Sequence, residues 1–338
     1  MKALVCGIGG QDGSYLAKLL LEKGYEVHGT SRDVHRMSKL GLRYLDIERQ
    51  VRLHSMAVSD FRSVLNVVSD VHPDEIYNLS GQSSVGLSFE QPVESMESIA
   101  IGTLNLLECI RFLDHKIRFY NASSSECFGD NGEEKSDENT TFRPRSPYAV
   151  AKCTAFWYVL NYREAYNLHA SSGLLFNHES PIRPERFVTQ KIISAVCRIA
   201  RGSKEKLVLG DIDISRDWGW AEDYVEAMWR ITQRNVASDF VVATGRTVSL
   251  RYFIDLAFRQ CNLRWQDHVV QDTTLLRPND LRKVCGNPSK ARLQLNWRHR
   301  LEVEEIVEVM LRERMQMISL RDDVKSPSSH QFGKASFP

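Results

Sequence analysis

The N-terminal stretch constrains this chain most. Ala3 to Cys6 is a short apolar run, Gly7-Ile-Gly-Gly-Gln-Asp-Gly13 follows, and Tyr15, Leu16, Leu19, Leu20 and Leu21 then recur at helical spacing. A buried strand, a glycine-rich turn and a helix, in that order, form a pyrophosphate cradle built from turn backbone and a helix N-terminus. Gly7, Gly10 and Gly13 give a G-x-x-G-x-x-G spacing, so these three, with Gln11 and Asp12 between them, are candidate dinucleotide contacts. Tyr25 to Thr30 reads as the second strand. Past its end, a carboxylate would accept from a ribose 2′-hydroxyl, whereas an arginine would pair with a 2′-phosphate. Here Arg32 comes first, with Arg36 as helper, which points to NADP; Asp33 leaves NAD open as the alternative.

Strand and helix patterns keep alternating: a strand at Val51–His54, a helix at Phe61–Asp70 and a strand at Pro73–Leu79. A long amphipathic helix over Ser95–Phe112, a strand at Lys116–Asn121, a helix to about Tyr166 and a strand at His169–Phe176 continue the series. Such alternation specifies an α/β fold of Rossmann type, a doubly wound parallel sheet. Beyond Phe176 it loosens into polar, proline-containing loops, with a smaller C-terminal substrate-binding domain expected. The expected division is 1–176 plus 221–243 for cofactor, 177–220 plus 244–322 for substrate, and a tail over 323–338. Helices are expected at Ala221–Ile231, Ser249–Gln260 and Leu301–Met315, and a strand at Asp239–Ala243.

The chemistry-bearing residues cluster at strand ends, where open α/β sheets place ligands. Ser146 and Pro147 read as an N-cap and first helical residue, which puts Tyr148 and Lys152 four apart on one helix face. An ammonium beside a phenol favours the phenolate and so predicts a lowered tyrosine pKa, suited to a general base. Ser123, Ser124, Ser125 and Glu126 follow the preceding strand and supply a hydroxyl and a carboxylate opposite that pair. Leu79, Ser80 and Gln82, in the loop after the fourth strand, and His178 are further cofactor candidates.

Composition excludes several classes. Net charge is +1 with 26% charged residues, so no basic field suggests nucleic acid. The seven cysteines are scattered and include no Cys-x-x-Cys pair, which predicts reduced thiols in a cytoplasmic protein. A strand begins directly at the N-terminus, so no signal peptide is expected, and no apolar run reaches the length of a membrane span. His178-Glu179 lacks a second histidine at ligand spacing, so no metal is expected.

With these segments in view, the chain resembles the extended short-chain dehydrogenase/reductases, and among them the GDP-mannose 4,6-dehydratase family. The resemblance is carried by Gly7 to Tyr15, Pro73–Leu79, Ser83–Glu90, Arg143–Lys152, Asn161–Tyr166, Leu175–Pro181 and Phe187–Ile192. It continues through Arg216–Gly219, Asp223–Trp229, Arg277-Pro278 and Gly286–Ala291. It implies that Ser124 holds the family's Ser/Thr position, Glu126 is the dehydrating acid/base, Tyr148 the oxidation base and Lys152 its partner. It further implies substrate contacts at Ser83, Asn177, Arg183, Val188, Lys191, Arg216, Arg277 and Asp280. The implied reaction takes GDP-mannose to GDP-4-keto-6-deoxy-mannose with NADP as internal redox cofactor. A dehydratase of another nucleotide sugar such as a GDP-heptose, a 4-keto-sugar reductase or epimerase, and a non-catalytic NADP sensor are the rival readings. The resemblance of the Arg32–Arg43 loop implies a homodimer or homotetramer. Ala57 and Ser84 depart from the family, which usually carries aspartate and histidine there.

Overall fold

The computed structural model describes residues 1–113 and 116–325. Its first half is a run of parallel strands with helical crossovers: β1 (Lys2–Cys6), α1 (Gln11–Glu22), β2 (Glu26–Ser31), α2 (Leu40–Tyr44), β3 (Arg52–Ser55) and α3 (Phe61–Val71). There follow β4 (Glu75–Asn78), α4 (Val85–Glu90), α5 (Pro92–Met96), α6 (Gly102–Leu113), β5 (Arg118–Ser124), α7 (Pro147–Tyr166) and β6 (Ala170–Leu175). Local chemistry sets the boundaries. Asp60 caps α3 by accepting from the amides of Arg62 and Ser63, and the helix ends at His72 in the left-handed conformation. Ser146 caps α7 through the Ala149 amide, Pro147 opens it, and Asn167 closes it with φ 55°.

The main sheet has seven parallel strands in the order β11-β6-β5-β4-β1-β2-β3, where β11 is Phe240–Val242. The order reverses at β1, so a crevice opens at the carboxyl ends of β1 and β4. Two apolar layers flank the sheet. One packs Leu16, Leu20, Tyr224 and Met228 against it, the other Val64, Val68, Leu106 and Ile110.

The expected helix over Ser95–Phe112 starts earlier and is interrupted. From Pro92 to Leu113 the chain stays helical, but Glu97–Ile101 is a π-turn between α5 and α6. That extra residue sets Ile99 against Tyr148 and Ala151 and lets Ser98 accept from the Gln82 amide at 3.2 Å. A π-bulge at such a place is a recurring device near functional sites.

After β6 come β7 (Asn177–Glu179), α8 (Val188–Ala200), β8 (Leu207–Leu209), β9 (Ser215–Arg216), β10 (Trp218–Trp220) and α9 (Ala221–Thr232). The chain then re-enters the sheet as β11 and finishes with β12 (Val248–Ser249), α10 (Leu250–Gln260), β13 (Val269–Gln271), α11 (Ser289–Leu295) and α12 (Val303–Lys325). A second core joins α8, α10 and α12 through Ile192, Val196, Phe253, Ile254, Ile306 and Met310. Residues 281–297 return to the sheet: Leu281 and Val284 pack with Phe176 and Val241, and Ala291, Leu295 and Trp297 join the layer around Tyr224. The last helix runs past its expected end at Met315 to Lys325, a stretch that contains no proline or glycine. The expected tail lies largely outside the described residues, which stop at Lys325. Among the described residues no helix is long and apolar enough to cross a membrane.

Candidate active site

One cavity of about 790 Å³ runs from the glycine turn, across the ends of β1, β4, β5 and β6, to the loops of the second core. At its cofactor-side end, Gly7 has φ 85°, and a Cβ there would lie 2.7 Å from the Leu79 carbonyl oxygen. A Cβ on Gly13 would lie 2.4 Å from the Gly7 carbonyl oxygen. Only glycine permits this turn, which holds the α1 N-terminus open to the cavity.

Gln11 and Asp12 line the cavity but are also tied inward. Gln11 donates to the His178 carbonyl oxygen at 3.2 Å and accepts from Ser180 at 2.7 Å. His178 sits between Asp12 (Nε2 to Oδ2, 2.9 Å) and the Phe176 carbonyl oxygen (Nδ1, 2.8 Å), and its ring stacks on Tyr224. Burial opposes ionisation of Asp12, yet the neighbouring His178 outweighs it and brings the carboxyl down to about 2. This network fastens the glycine turn to the segment His178–Ser180.

Leu79, Ser80, Gln82, Ser83 and Ser84 line the cavity on the loop after β4. Gln82 braces that loop, donating to the Ser84 carbonyl oxygen at 2.7 Å and accepting from the Ser84 amide. Ser84 also caps α4. Arg32 reaches the cavity at the end of β2 with its side chain 77% exposed and Glu94 at 3.5 Å. Arg36, the expected helper, does not line it. Asp33 accepts from the amides of His35 and Arg36 at 2.8 and 3.3 Å, and the resulting turn leaves the Arg36 side chain 90% exposed. The Asp33 carboxylate is used in that turn and is likewise absent from the lining. Met56 and Val58 line the cavity, while Ala57 between them does not.

Ser124, Glu126, Tyr148 and Lys152 meet at the middle of the cavity. β5 delivers Ser124, whose hydroxyl accepts from the Glu126 amide at 3.2 Å and starts the turn Ser125–Phe128. Lys152 donates to the Ala122 carbonyl oxygen at 2.6 Å, and its nitrogen is 5.8 Å from the Tyr148 ring centre. The expected lowering of the tyrosine pKa is not found. Burial pushes the Tyr148 phenol up, with a hydrogen bond from Ser124 opposing it, and the same burial brings Lys152 down to about 8. At this separation, desolvation of both groups outweighs their attraction. Glu126 keeps some exposure to the cavity, but burial still raises its carboxyl, with Arg216 and Arg277 pulling against that rise.

The end of the cavity away from the glycine turn gathers Asn177, Arg183, Val188, Lys191, Arg216, Arg277 and Asp280, the expected substrate contacts. Arg216 is 5% exposed, donates to Asp280 at 3.0 Å and to the Leu281 carbonyl oxygen at 2.8 Å. Arg277 approaches the same carboxylate at 3.5 Å. Arg183 is held by Glu179 at 2.8 Å, by the His178 carbonyl oxygen at 3.0 Å and by the Phe187 ring at 3.9 Å. Several residues that line this end were given no role by sequence reasoning, Glu179 and Arg186 among them. Glu179 is buried and pairs with Arg183 and with the Thr189 hydroxyl, at 2.6 Å; in the sequence it stands out only beside His178, as part of an incomplete metal-ligand pattern. Arg186 reaches across to Ser83 at 3.4 Å and bridges the two loops at the mouth. Its placement beside Arg183 in a proline-bounded polar loop was the available clue.

A sequence profile described as GDP-mannose 4,6 dehydratase matches residues 4–310. GDP-mannose 4,6 dehydratase 1 of Arabidopsis thaliana is 45% identical over 325 residues, covering 93% of this chain and 90% of that protein. The GDP-mannose 4,6-dehydratase of Sinorhizobium fredii is 43% identical over 335 residues, covering 92% and 95%. Among solved structures, UDP-glucose 4-epimerase of Thermotoga maritima superposes with TM-score 0.83 at 23% identity, covering 94% of this chain and 100% of that one. RMD from Pseudomonas aeruginosa, complexed with NADPH, gives TM-score 0.76 at 22% identity over 94% and 98%. These two share the fold of the seven-stranded parallel sheet. The sequence matches go further: this chain belongs to the GDP-mannose 4,6-dehydratase family.

Proposed function

We propose that the protein is a hydro-lyase that converts GDP-mannose to GDP-4-keto-6-deoxy-mannose and water with NADP as cofactor. The observation that carries this reading is the carboxyl of Glu126, raised by burial, sharing one cavity with Ser124, Tyr148 and Lys152. A reductase or epimerase of a 4-keto sugar needs no such group. The Gly7 and Gly13 cradle, Arg32, Leu79, Ser80 and Gln82 fit a dinucleotide, and the diversion of Asp33 into its own turn favours a 2′-phosphate over a bare 2′-hydroxyl. Bound NADP supplies the chemistry of accepting a hydride from C4 and returning it at C6.

The chain's own residues manage the protons. Tyr148 removes the C4 hydroxyl proton, with the Ser124 hydrogen bond opposing the burial that raises its phenol and Lys152 held beside it by the Ala122 carbonyl oxygen. The ketone so formed acidifies C5. Glu126, as carboxylate, takes the C5 proton and, as acid, passes it to the departing C6 hydroxyl, so water leaves and the carboxylate is restored. Hydride return at C6 leaves C5 in need of a proton, and the one Tyr148 took from the C4 hydroxyl balances it, restoring the phenolate. Arg216 and Arg277 suit the substrate diphosphate, which would take over the place Asp280 holds between them. Asn177, Val188, Lys191 and Ser83 enclose the remainder, and Arg183 shapes the wall. In this reading NADP lies on the sheet domain, 1–176 plus 221–243, and the nucleotide sugar on 177–220 plus 244–322, whose residues 281–297 pack back against the sheet. Self-association into a dimer or tetramer fits the exposed Phe112, Trp157 and Tyr166 on the neighbouring helices α6 and α7. A monomer in gel filtration at micromolar concentration would argue against it.

The test is incubation of the purified protein with GDP-mannose and NADP, without added reductant, with the product read by mass spectrometry. Loss of one water is expected, and Glu126→Gln is expected to slow it by about 10²–10⁴-fold while NADP still binds. If another nucleotide sugar loses water and GDP-mannose does not, the substrate assignment fails. If none loses water, the dehydratase assignment fails.

A further inference from the structure

Two cysteines lie immediately beside the proposed acid/base residues, one after Glu126 and one after Lys152. Cys127 is fully buried in the turn Ser125–Phe128, and Cys153 is 8% exposed on α7. The turn and the helix meet here: Cys153 Sγ is 3.9 Å from the Cys127 carbonyl oxygen. The Ser123 hydroxyl lies 3.7 Å from Cys127 Sγ. Cys6, Cys109, Cys197 and Cys285 are also buried, and only Cys261 is part-exposed.

We propose that Cys127 and Cys153 form an oxidisable dithiol, a modification site at which a peroxide-class oxidant closes a disulfide and switches the acid/base centre off. The balance is two thiols plus one hydrogen peroxide giving one disulfide and two waters. Peroxide oxygen first adds to one sulfur as a sulfenic acid with release of water; the other thiolate then attacks that sulfur and displaces the second water. Cys153, at 8% exposed, is the less buried of the two, and its contact with Cys127 together with burial pushes its own thiol up. Burial opposes a thiolate at Cys127, but hydrogen bonds from Cys153 and Ser123, with the Lys152 charge nearby, lower its pKa overall. A disulfide requires sulfurs about 2.05 Å apart, well inside any non-bonded contact. Closing it draws the turn bearing Glu126 toward the helix bearing Tyr148 and Lys152. A displacement near 1 Å in such a site costs about 10²-fold in rate.

The test treats the full-length protein with hydrogen peroxide, maps its peptides under non-reducing conditions and assays turnover before and after dithiothreitol. A peptide pair joined through Cys127 and Cys153, lighter by two hydrogens, is expected, with turnover down at least about tenfold and restored on reduction. Cys153→Ala and, independently, Cys127→Ala should keep their turnover in peroxide, whereas Cys261→Ala should lose it like the unaltered protein. Oxidation at Cys261 with no 127–153 link overturns the proposal, as does a link that leaves turnover unchanged. The link is read by mass alone, so failure of the dehydratase assignment is told apart from failure of this one.

Discussion

At the scale of single residues, burial competes with charge throughout the site. Lys152 has only a carbonyl partner for its ammonium, at 2.6 Å, and burial brings it down to about 8. Its folded pKa is therefore below the unfolded value of about 10.4. Charging it costs stability, a cost fully present below about pH 8 and relieved as pH rises toward the unfolded value. Lys152→Met is thus expected to stabilise the unliganded protein at pH 7 by about 1–3 kcal/mol while cutting turnover by at least about 10²-fold. Thermal unfolding at pH 7 and pH 9.5 checks the sign, because the advantage should shrink at the higher pH. Glu126 is shifted upward by burial, so the acid limb of the turnover profile should lie above the ordinary carboxylate range. The limb should vanish in Glu126→Gln as residual activity becomes pH-independent there. Arg32 meets only an exposed, 3.5 Å contact with Glu94, which leaves it available to a 2′-phosphate. Arg32→Ala should raise the KM for NADP about tenfold or more and leave that for NAD nearly unchanged.

Whole elements hold these groups in register. Ser146 donates no catalytic group, yet its hydroxyl caps the helix that carries Tyr148 two residues later. Ser146→Ala should cost about 1 kcal/mol in denaturant unfolding and lower turnover more than it alters cofactor binding. The glycine turn is stricter. A methyl at Gly13 would overlap the Gly7 carbonyl at 2.4 Å, a backbone atom that cannot rotate away. Gly13→Ala should therefore abolish measurable NADP binding by calorimetry or leave the protein unfolded by circular dichroism. The caps, the glycine turn and the strand–helix alternation were legible in the sequence because each depends on residues within a few positions. The π-turn at Glu97–Ile101 was not: the apolar spacing of Ile99 to Ile110 fits an ordinary helix, and contact with Tyr148 selects the extra residue.

Across the molecule, the two cores are covalently interleaved. A fragment ending at residue 243 would lack Leu281, Val284, Ala291, Leu295 and Trp297, whose side chains complete the packing around Phe176 and Tyr224. Trp297 also donates to the Asp223 carbonyl oxygen at 2.7 Å. Such a fragment should show no cooperative thermal transition, since losing several buried side chains at about 2–5 kcal/mol each exceeds the stability of an ordinary domain. The sequence by itself determined the parallel doubly wound sheet, the dinucleotide cradle and the Tyr148/Lys152 helix, because periodicity, glycine spacing and caps are local properties; the substrate-contact candidates came from the family resemblance. Tertiary structure alone decided that Arg36 stays outside the cavity, that Glu179 and Arg186 belong to it, and that Cys127 meets Cys153. It also decided the direction of the Tyr148 and Lys152 shifts. Those outcomes depend on how much water each group loses and which distant segment faces it, and neither quantity is encoded in the spacing of residues along the chain.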